Sequence, residues 1–433
     1  MRSADAARRG LLHATLLNIL WSMLHSLLFI AAPLAVKVSG GGDWLLGLAA
    51  LLYDAGYALL SPLAGSLGDR GYRRTLIVAS LAFMLSSLAL LEASVWSREP
   101  LYAVAAKLLL GVAGAAATPN IAALFVDVGV VSGLRVETIL ARYYGASTTI
   151  GWFAGYALGG LFSRLLGFEE GVALYGLAVA SLLAPVAAAM PRPPVHMEHR
   201  LPALRARIRF HHERVLRARF PGARRLLERL TRTPLLAAYL ATVAAFTGIG
   251  VFFALLPAYW LERGLEPSSI MLVASVHTVA SSLTYLYADR LVSRLGAERS
   301  LALAYALRAL VFYEPVATST LPAYQQAIAT YTLTGVTWAL LNTSLNTLAA
   351  KQPGGRGARL GAMQAAASTG LVAGDAIATL LGGIAGPSTW FTVASLMEAL
   401  AATILALSTR EATTPRPAWR GLRRVRMPSR RLG

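Results

Sequence analysis

Residues 65–78 read GSLGDRGYRRTLIV, and this stretch places four charged residues within six positions between two long apolar runs. The rest of the chain uses charge sparingly: of its 433 residues, 56% are hydrophobic and 14% are charged. A soluble domain spends about 25% of its residues on charged side chains. With a mean hydropathy of +0.56, the composition indicates a membrane protein, in which such a stretch marks a turn outside the bilayer.

On both sides of this turn, apolar runs long enough to cross a hydrocarbon layer of about 30 Å recur along the chain. Several contain proline or glycine, which membrane helices tolerate when neighbouring helices satisfy the freed backbone groups. The first run is longer than the apolar core of a cleavable signal peptide. We therefore predict an all-α membrane protein with twelve transmembrane helices. The predicted spans are 11–36, 44–68, 75–94, 100–127, 137–164, 170–190, 235–261, 268–292, 299–317, 321–349, 359–385 and 388–408.

Lysine and arginine are distributed unevenly between the two ends of these spans. Most of the 40 residues of these types lie on the side of the N-terminus, whereas the opposite side keeps Lys37, Arg98, Arg164 and Arg263. The positive-inside rule then makes both termini cytoplasmic, and we predict a multi-pass protein of the cell (plasma or inner) membrane. The net charge of +19 suits cytoplasmic loops that face a bilayer with anionic headgroups, so we expect no nucleic-acid partner.

Two motifs recur in the second half of the chain at nearly the same offset. Asp69 and Arg70 end the second predicted span, as Asp289 and Arg290 end the eighth, and GWFAGYALGG in the fifth span returns as GLVAGDAIATLLGG in the eleventh. Transporters build two states around one central site from such repeated halves. We predict six-helix halves at 1–190 and 235–408, a basic cytoplasmic linker at 191–234 and a basic tail at 409–433. The linker is either a solvated segment or an amphipathic helix on the membrane surface.

The stretch GSLGDRGYRRTLI resembles the loop 2–3 signature of the major facilitator superfamily, G-x-L-a-D-R-x-G-R-K-x-x-L. Tyr72 stands where the family has its second glycine, and Gly71 lies one place early. KLLLGVAGAA in the fourth span resembles the family motif R-x-x-q-G-x-g, with Lys107 in place of arginine. GWFAGYALGG resembles the antiporter motif G-x-x-x-G-P-x-x-G-G, with Tyr156 in place of proline. The chain is identified as a member of this superfamily by resemblance, which implies the twelve-helix fold and transport by alternating access.

The resemblance also implies a gate at the cytoplasmic end. In the family, the acid of the loop signature docks at the N-terminus of helix 11, where free N–H groups favour an anion. The arginine region pairs with an acid that ends helix 4, and Asp127 is placed to pair in this way with Arg73. The alternative is a positive-inside turn without a gating role. The predicted gating residues are Gly65, Asp69, Arg70, Arg73, Arg74, Asp127, Asp289 and Arg290.

Ionisable groups inside membrane spans are costly and are functional candidates by default. Asp54, Lys107 and Asp375 lie at a similar depth, and in the family fold helices 2 and 11 meet where the halves face each other. We expect Asp54 and Asp375 to approach in one state and separate in the other. Two carboxylates brought together out of water do not both stay ionised, so the pair would hold a proton.

Lys107 occupies the position of the family's coupling arginine and would favour the ionised form of the acid that it approaches. The alternative is that each acid is only hydrogen-bonded within its own half. Two further charges, Arg308 and Glu398, lie near mid-span on helices that are peripheral in the family. We predict that they form a structural ion pair.

Polar and aromatic side chains recur at helical spacing on several spans and predict inward-facing stripes. In the family, helices 1, 4, 7 and 10 line the cavity, which adds side chains of the seventh span. Such stripes also serve helix packing, so both interpretations remain. The predicted cavity residues are Asn18, Ser22, His25, Tyr239, Thr242, Phe246, Trp338, Asn342, Asn346, Gln364 and Ser368.

No catalytic constellation is present: the chain has no phosphate-binding glycine loop with Lys-Ser/Thr and no HExxH motif, so we predict that it is not an enzyme. Cysteine is absent and no histidine or carboxylate pattern completes a metal site, so we expect neither metal nor cofactor. We predict a monomeric, proton-coupled transporter of a small organic solute, with a preference for export. The alternatives are uptake of a sugar or other metabolite by symport or uniport, and a membrane sensor that binds solute without moving it.

Overall fold

A computed structural model describes residues 2–131, 139–190, 234–351 and 356–413. These residues form twelve long helices and contain no strands, as the predicted fold class requires. The helices are α1 (Arg2–Val38), α2 (Asp43–Leu67), α3 (Arg73–Ser97), α4 (Pro100–Val131), α5 (Ala146–Leu166), α6 (Phe168–Ala188), α7 (Pro234–Glu262), α8 (Pro267–Leu295), α9 (Ala297–Ala317), α10 (Ala323–Lys351), α11 (Arg356–Ile384) and α12 (Pro387–Thr413).

Each predicted span overlaps one of these helices. Nine stretches of the described chain are long and apolar enough to cross a membrane, and one of them, Asp43–Ser97, contains both α2 and α3. The other two helices, α5 and α10, have comparable lengths but more glycine, serine, threonine and asparagine. A polar helix in such a protein is tolerated where neighbouring helices cover its polar face.

The charged stretch quoted above forms the turn between α2 and α3. Residues Gly68–Tyr72 make a wide helical turn, in which Gly71 has a φ of +98°. Glycine adopts this conformation without the steric cost that a side chain would add. Gly71, which comes one position before the second glycine of the loop signature, therefore lies where the turn needs a positive φ. Tyr72, which occupies the signature's glycine position, does not have a positive φ.

The two halves, α1–α6 and α7–α12, repeat the same close helix contact. Gly151 and Gly155 lie against the backbone of α1, and a Cβ atom at Gly155 would collide with Ser26. In the second half, Gly370 and Gly374 lie in the same way against the backbone of α7. Small residues at these positions let two membrane helices approach closely, which accounts for the repeated glycines by packing.

The end of the molecule that carries residues 190 and 234 is called here the linker end, and the opposite end the far end. At the far end, the halves touch along two interfaces: Gly47 of α2 lies against the backbone of Thr379, and Gly160 of α5 lies against Leu272 of α8. Toward the linker end, α8 instead exposes large side chains, including Leu286 at 65%. The described contacts between the halves are thus concentrated at the far end.

The predicted basic linker, 191–234, and the basic tail, 409–433, fall almost wholly outside the described residues. Their predicted boundaries and the predicted amphipathic helix stay predictions. On either side of the linker, α6 ends at Ala188 and α7 begins at Pro234.

Candidate functional site

A pair of carboxyl groups lies at the interface between the halves. Asp54 of α2 and Asp375 of α11 lie within electrostatic range of each other, and Asp375 is 1% exposed. Gly250 of α7 makes room for this arrangement, because a Cβ atom there would lie 3.1 Å from Asp375 Oδ1. The other oxygen, Asp375 Oδ2, is buried without a hydrogen bond of good geometry. The two carboxyl groups thus lie near each other where α2 packs on α11, with Asp375 removed from solvent.

The buried Lys107 of α4 lies within electrostatic range of both carboxyl groups. Its ammonium group donates a hydrogen bond of 2.8 Å to the backbone carbonyl of Phe29. The nitrogen lies 3.5 Å from the centroid of the Phe29 ring and 5.0 Å from that of Tyr53. The structure therefore brings together the three residues predicted to couple transport to protons, with the cation held on an aromatic surface.

The rings of Phe29 and Tyr53 belong to an aromatic cluster drawn from three helices. The Phe29 ring lies 5.3 Å from that of Tyr53 and 5.4 Å from that of Trp152, measured between centroids. His25 stacks on Trp21 at 4.7 Å, and its Nε2 lies 3.2 Å from the Tyr53 hydroxyl. Tyr53 and Trp152 were not predicted as site residues. The signals available were the position of Tyr53 next to Asp54 and that of Trp152 inside the glycine motif of α5.

The predicted cavity residues near the start of α1 and α7 are engaged in packing. Asn18 donates hydrogen bonds to Tyr144 O, Ser147 Oγ and Thr148 Oγ1 and so fastens α1 to the start of α5. Thr242 is fully buried and donates to a backbone carbonyl within α7. Three other members of the predicted set are also buried: Ser22, His25 and Phe246.

The remaining predicted cavity residues keep some exposure. Asn346 and Gln364 are exposed, and the partly exposed members are Tyr239, Trp338, Asn342 and Ser368. Trp338 lies 6.4 Å from both Phe246 and His277, measured between ring centroids. The exposed polar set thus lies mainly on α10 and α11, in the second half of the molecule.

The predicted gating residues lie at the linker end. Arg73 donates a hydrogen bond to the Asp127 carboxylate, as predicted, and Arg74 donates to the carbonyl of Ala188 at the end of α6. The predicted partner of Asp69, the N-terminus of α11, begins beside residues 352–355, which lie outside the described residues. That contact stays a prediction.

The other members of the gating set are arranged around the same turn or its counterpart. Gly68 packs against Asn120 of α4, whose amide donates to the Ala64 carbonyl of α2 at 3.4 Å and to the Ala116 carbonyl of its own helix at 2.8 Å. The bond to Ala64 joins the end of α2 to α4. In the second half, Asp289 accepts a hydrogen bond of 2.7 Å from the backbone N–H of Arg290. Gly65 has open space around its Cα, and Arg70 is exposed.

The predicted ion pair of Arg308 and Glu398 is present. Arg308 Nε donates to Glu398 Oε1 at 2.7 Å, and both side chains are 0% exposed. The guanidinium group also lies 4.7 Å from the Phe312 ring. These two residues lie on α9 and α12 and pair within a single half.

The sequence model of a protein family, the Major Facilitator Superfamily, matches residues 14–262 and 238–430 of this chain. Among solved structures, the chain is similar to the nucleoside transporter NupG, with a TM-score of 0.63 and 14% identity over 92% of this chain and 99% of that one. It is also similar to an auto-inhibited POT family peptide transporter, with a TM-score of 0.64 and 13% identity over 96% of this chain and 99% of that one. A structure described for substrate recognition in proton-dependent oligopeptide transporters matches with a TM-score of 0.63 and 13% identity. This match covers 92% of this chain and 99% of the chain in that structure. No curated protein sequence matches the chain.

Proposed function

Because this chain belongs to the major facilitator superfamily, we propose that it is a secondary active transporter that exports a small organic solute by alternating access, in exchange for protons. The observation that carries the proposal is the position of two acids, Asp54 and the buried Asp375, where α2 packs on α11 across the interface of the two halves. A titratable pair at this interface is sensitive to any relative motion of the halves, which coupled transport requires.

The proposed orientation has the linker end in the cytoplasm and the far end outside, in the cell membrane. Its support is the positive-inside rule, with the basic linker and tail on the cytoplasmic side. In this orientation, the packing of α2 on α11 and of α5 on α8 closes the outside, and the structure corresponds to an inward-facing state.

Proton coupling follows from the charge of the pair. With one proton, Asp54 and Asp375 carry a single negative charge and can share a hydrogen bond, which stabilises the closed far end. Without it, two negative charges repel each other in a medium of low dielectric and favour separation of α2 from α11. Linkage then makes proton affinity higher in the inward-facing state, so an acidic exterior drives the return of the empty carrier.

Uptake is the alternative direction of solute transport, because the same carboxyl pair would also serve a proton symporter. The names of the structural neighbours include nucleoside and proton-dependent peptide transporters, and at 13–14% identity these support the fold alone. The direction of solute flux under a known pH gradient distinguishes export from uptake. Binding without flux would indicate a sensor.

The test uses purified protein in proteoliposomes, with a solute first identified by thermal-shift screening of sugars, organic acids and lipophilic cations. We expect the wild type to accumulate this solute against its gradient on the acidic side of the membrane. Asp375→Asn should abolish accumulation driven by the pH gradient and retain solute exchange at equal pH.

The matched control is Tyr156→Phe, because Tyr156 follows GWFAG as Asp375 follows GLVAG in the repeated motif. This control should retain gradient-driven accumulation. If Asp375→Asn still accumulates solute in proportion to the imposed gradient, the carboxyl pair is not the coupling site. Accumulation on the alkaline side by the wild type would overturn the export direction.

A further inference from the structure

The ammonium group of Lys107 occupies an aromatic cage formed by the rings of Phe29 and Tyr53. Its nitrogen lies over the Phe29 ring at 3.5 Å and near the Tyr53 ring at 5.0 Å. The Trp152 ring packs on that of Phe29, with 5.4 Å between the centroids. Ring faces attract cations through their quadrupole, and they do so most strongly away from water. The cage therefore has the chemistry of a site for an organic cation, and a side chain of the protein fills it.

Lys107 is in the cage although two acids lie nearby. Within the part of the chain that the structure describes, neither Asp54 nor Asp375 forms an ion pair with it, although both interact with it electrostatically. Of the three N–H donors of the ammonium group, one is used, on the Phe29 carbonyl. A buried ammonium beside a fully ionised pair of carboxylates would gain more by pairing with them. The observed position thus fits a pair that holds a proton.

We propose that this cage binds the cationic group of the transported solute, an amine or quaternary ammonium carried on an organic body, and that Lys107 and the solute occupy it alternately. The inference rests on the proposed function, because the carboxyl pair supplies the switch. When Asp54 and Asp375 lose their proton, their second negative charge draws the ammonium out of the cage. The vacant cage then takes the solute cation.

The exchange accounts for the direction of coupling. A proton that binds the pair from outside removes one negative charge and releases Lys107, which returns to the Phe29 carbonyl and displaces the solute. Solute that enters from the cytoplasm displaces Lys107 toward the pair, and the approaching ammonium expels the proton to the cytoplasm. One proton moves in for each solute cation that moves out, and no other co-reactant is needed.

The titratable groups around the cage come from all the helices packed on it. They are His25, Tyr53, Asp54, Tyr57, Lys107 and Asp375. Tyr156 packs on the Trp152 ring instead, with 5.6 Å between the centroids. The tyrosines are neutral at ordinary pH. His25 has Nε2 near the Tyr53 hydroxyl and is stacked against Trp21, so it has its own packing. The carboxyl pair and Lys107 are therefore the groups whose charge decides which cation occupies the cage.

The experiment measures binding of phenyltrimethylammonium and of its uncharged carbon isostere tert-butylbenzene to the full chain in nanodiscs, at acidic and alkaline pH. We expect the cation to bind about tenfold more tightly than the isostere, since the two differ only in charge. We also expect its affinity to rise with pH, because loss of the proton from the pair frees the cage.

Two variants should change the binding in opposite directions, which a general loss of structure would not do. Phe29→Leu removes the nearest ring and should weaken cation binding about tenfold. Lys107→Met removes the competing ammonium and should tighten cation binding, most strongly at acidic pH, where the ammonium otherwise fills the cage. The matched control is Phe162→Leu, a phenylalanine of α5 whose ring packs on Tyr175 at 5.4 Å, which should leave the affinity unchanged.

Equal binding of the cation and the isostere to the wild type overturns the cage proposal, as does weaker cation binding by Lys107→Met. Proton coupling then still stands if accumulation remains dependent on Asp375. If instead the cage variants behave as expected and Asp375→Asn still accumulates solute, the cage stands and the coupling proposal fails.

Discussion

Two groups of buried ionisable residues differ in whether they lie within one half of the molecule or between the two halves. Arg308 and Glu398 pair at 2.7 Å on α9 and α12, helices of the same half, and both are fully buried. Asp54, Asp375 and Lys107 meet where α2 and α11 join different halves, and within the described residues no ion pair forms among them. Arg308 and Glu398 are opposite charges within one half. Asp54 and Asp375 are two acids, with Lys107 nearby, that lie where the two halves meet.

This difference in position suits the Arg308–Glu398 pair to a structural role, and it suits the group at the interface to the proposed coupling role. A pair inside one half does not bridge the contact between the halves, so a relative motion of the halves would leave its charges compensated. Like charges across a mobile interface have an energy that depends on the state and on protonation, and this dependence is what couples an ion to a conformational change. Variants of the two groups should therefore differ in what they damage.

The largest effect is expected from breaking the pair inside the second half. Arg308→Met or Glu398→Met alone leaves an uncompensated buried charge and should cost about 3–5 kcal/mol of unfolding free energy. The double variant should cost less than either single variant, because no isolated charge remains. Thermal melting in detergent across the double-mutant cycle measures the coupling. Additive losses would show that the two charges do not stabilise each other.

At the interface between the halves, Asp375→Asn should have the opposite effect on stability. The substitution removes one of two carboxyl groups that interact in the closed far end, so we expect a gain of about 1 kcal/mol or no change. The same melting assay at neutral pH measures it, with Tyr156→Phe as the control at the corresponding position. A loss as large as that for Glu398→Met would mean that the interface acid is structural.

Asp69→Asn tests whether a charge at the linker end also depends on the state. Removing the anion from the predicted N-terminus of α11 should destabilise the outward-facing state by about 0.3–1 kcal/mol. Because the chain has no cysteine, labelling of a single introduced cysteine reports the change. Gln364→Cys on α11 should label faster when combined with Asp69→Asn, and Trp96→Cys, at the far end of α3, should not. Unchanged labelling of Gln364→Cys would remove the gating role of Asp69.

The smallest effect is expected for the Arg73–Asp127 pair. It lies within one half, as Arg308–Glu398 does, but the Asp127 side chain is 35% exposed. Water screens such a pair, so Asp127→Asn should cost only about 0.2–1 kcal/mol in melting. A cost near that of Glu398→Met would show that burial does not explain the difference between the two pairs.

The predicted polar stripes show what helical periodicity in the sequence does not predict. Asn18 and Gln364 both lie on predicted polar stripes, but Asn18 is 2% exposed and donates three hydrogen bonds to residues of the α5 region, whereas Gln364 is exposed. Helical spacing tells which residues share a face. It does not tell whether a neighbouring helix supplies hydrogen-bond partners to that face.

The sequence by itself determined the twelve helices, the repeat and the turn between α2 and α3. Apolar length, glycine pairs and a charged turn act through the bilayer and through local backbone sterics, which need no knowledge of distant residues. The position of Lys107 on the rings of Phe29 and Tyr53, and that of Asn18 beside the start of α5, were decided only by the tertiary structure. Each joins side chains from helices far apart in the chain, and their distance depends on how those helices pack, which spacing along one helix does not encode.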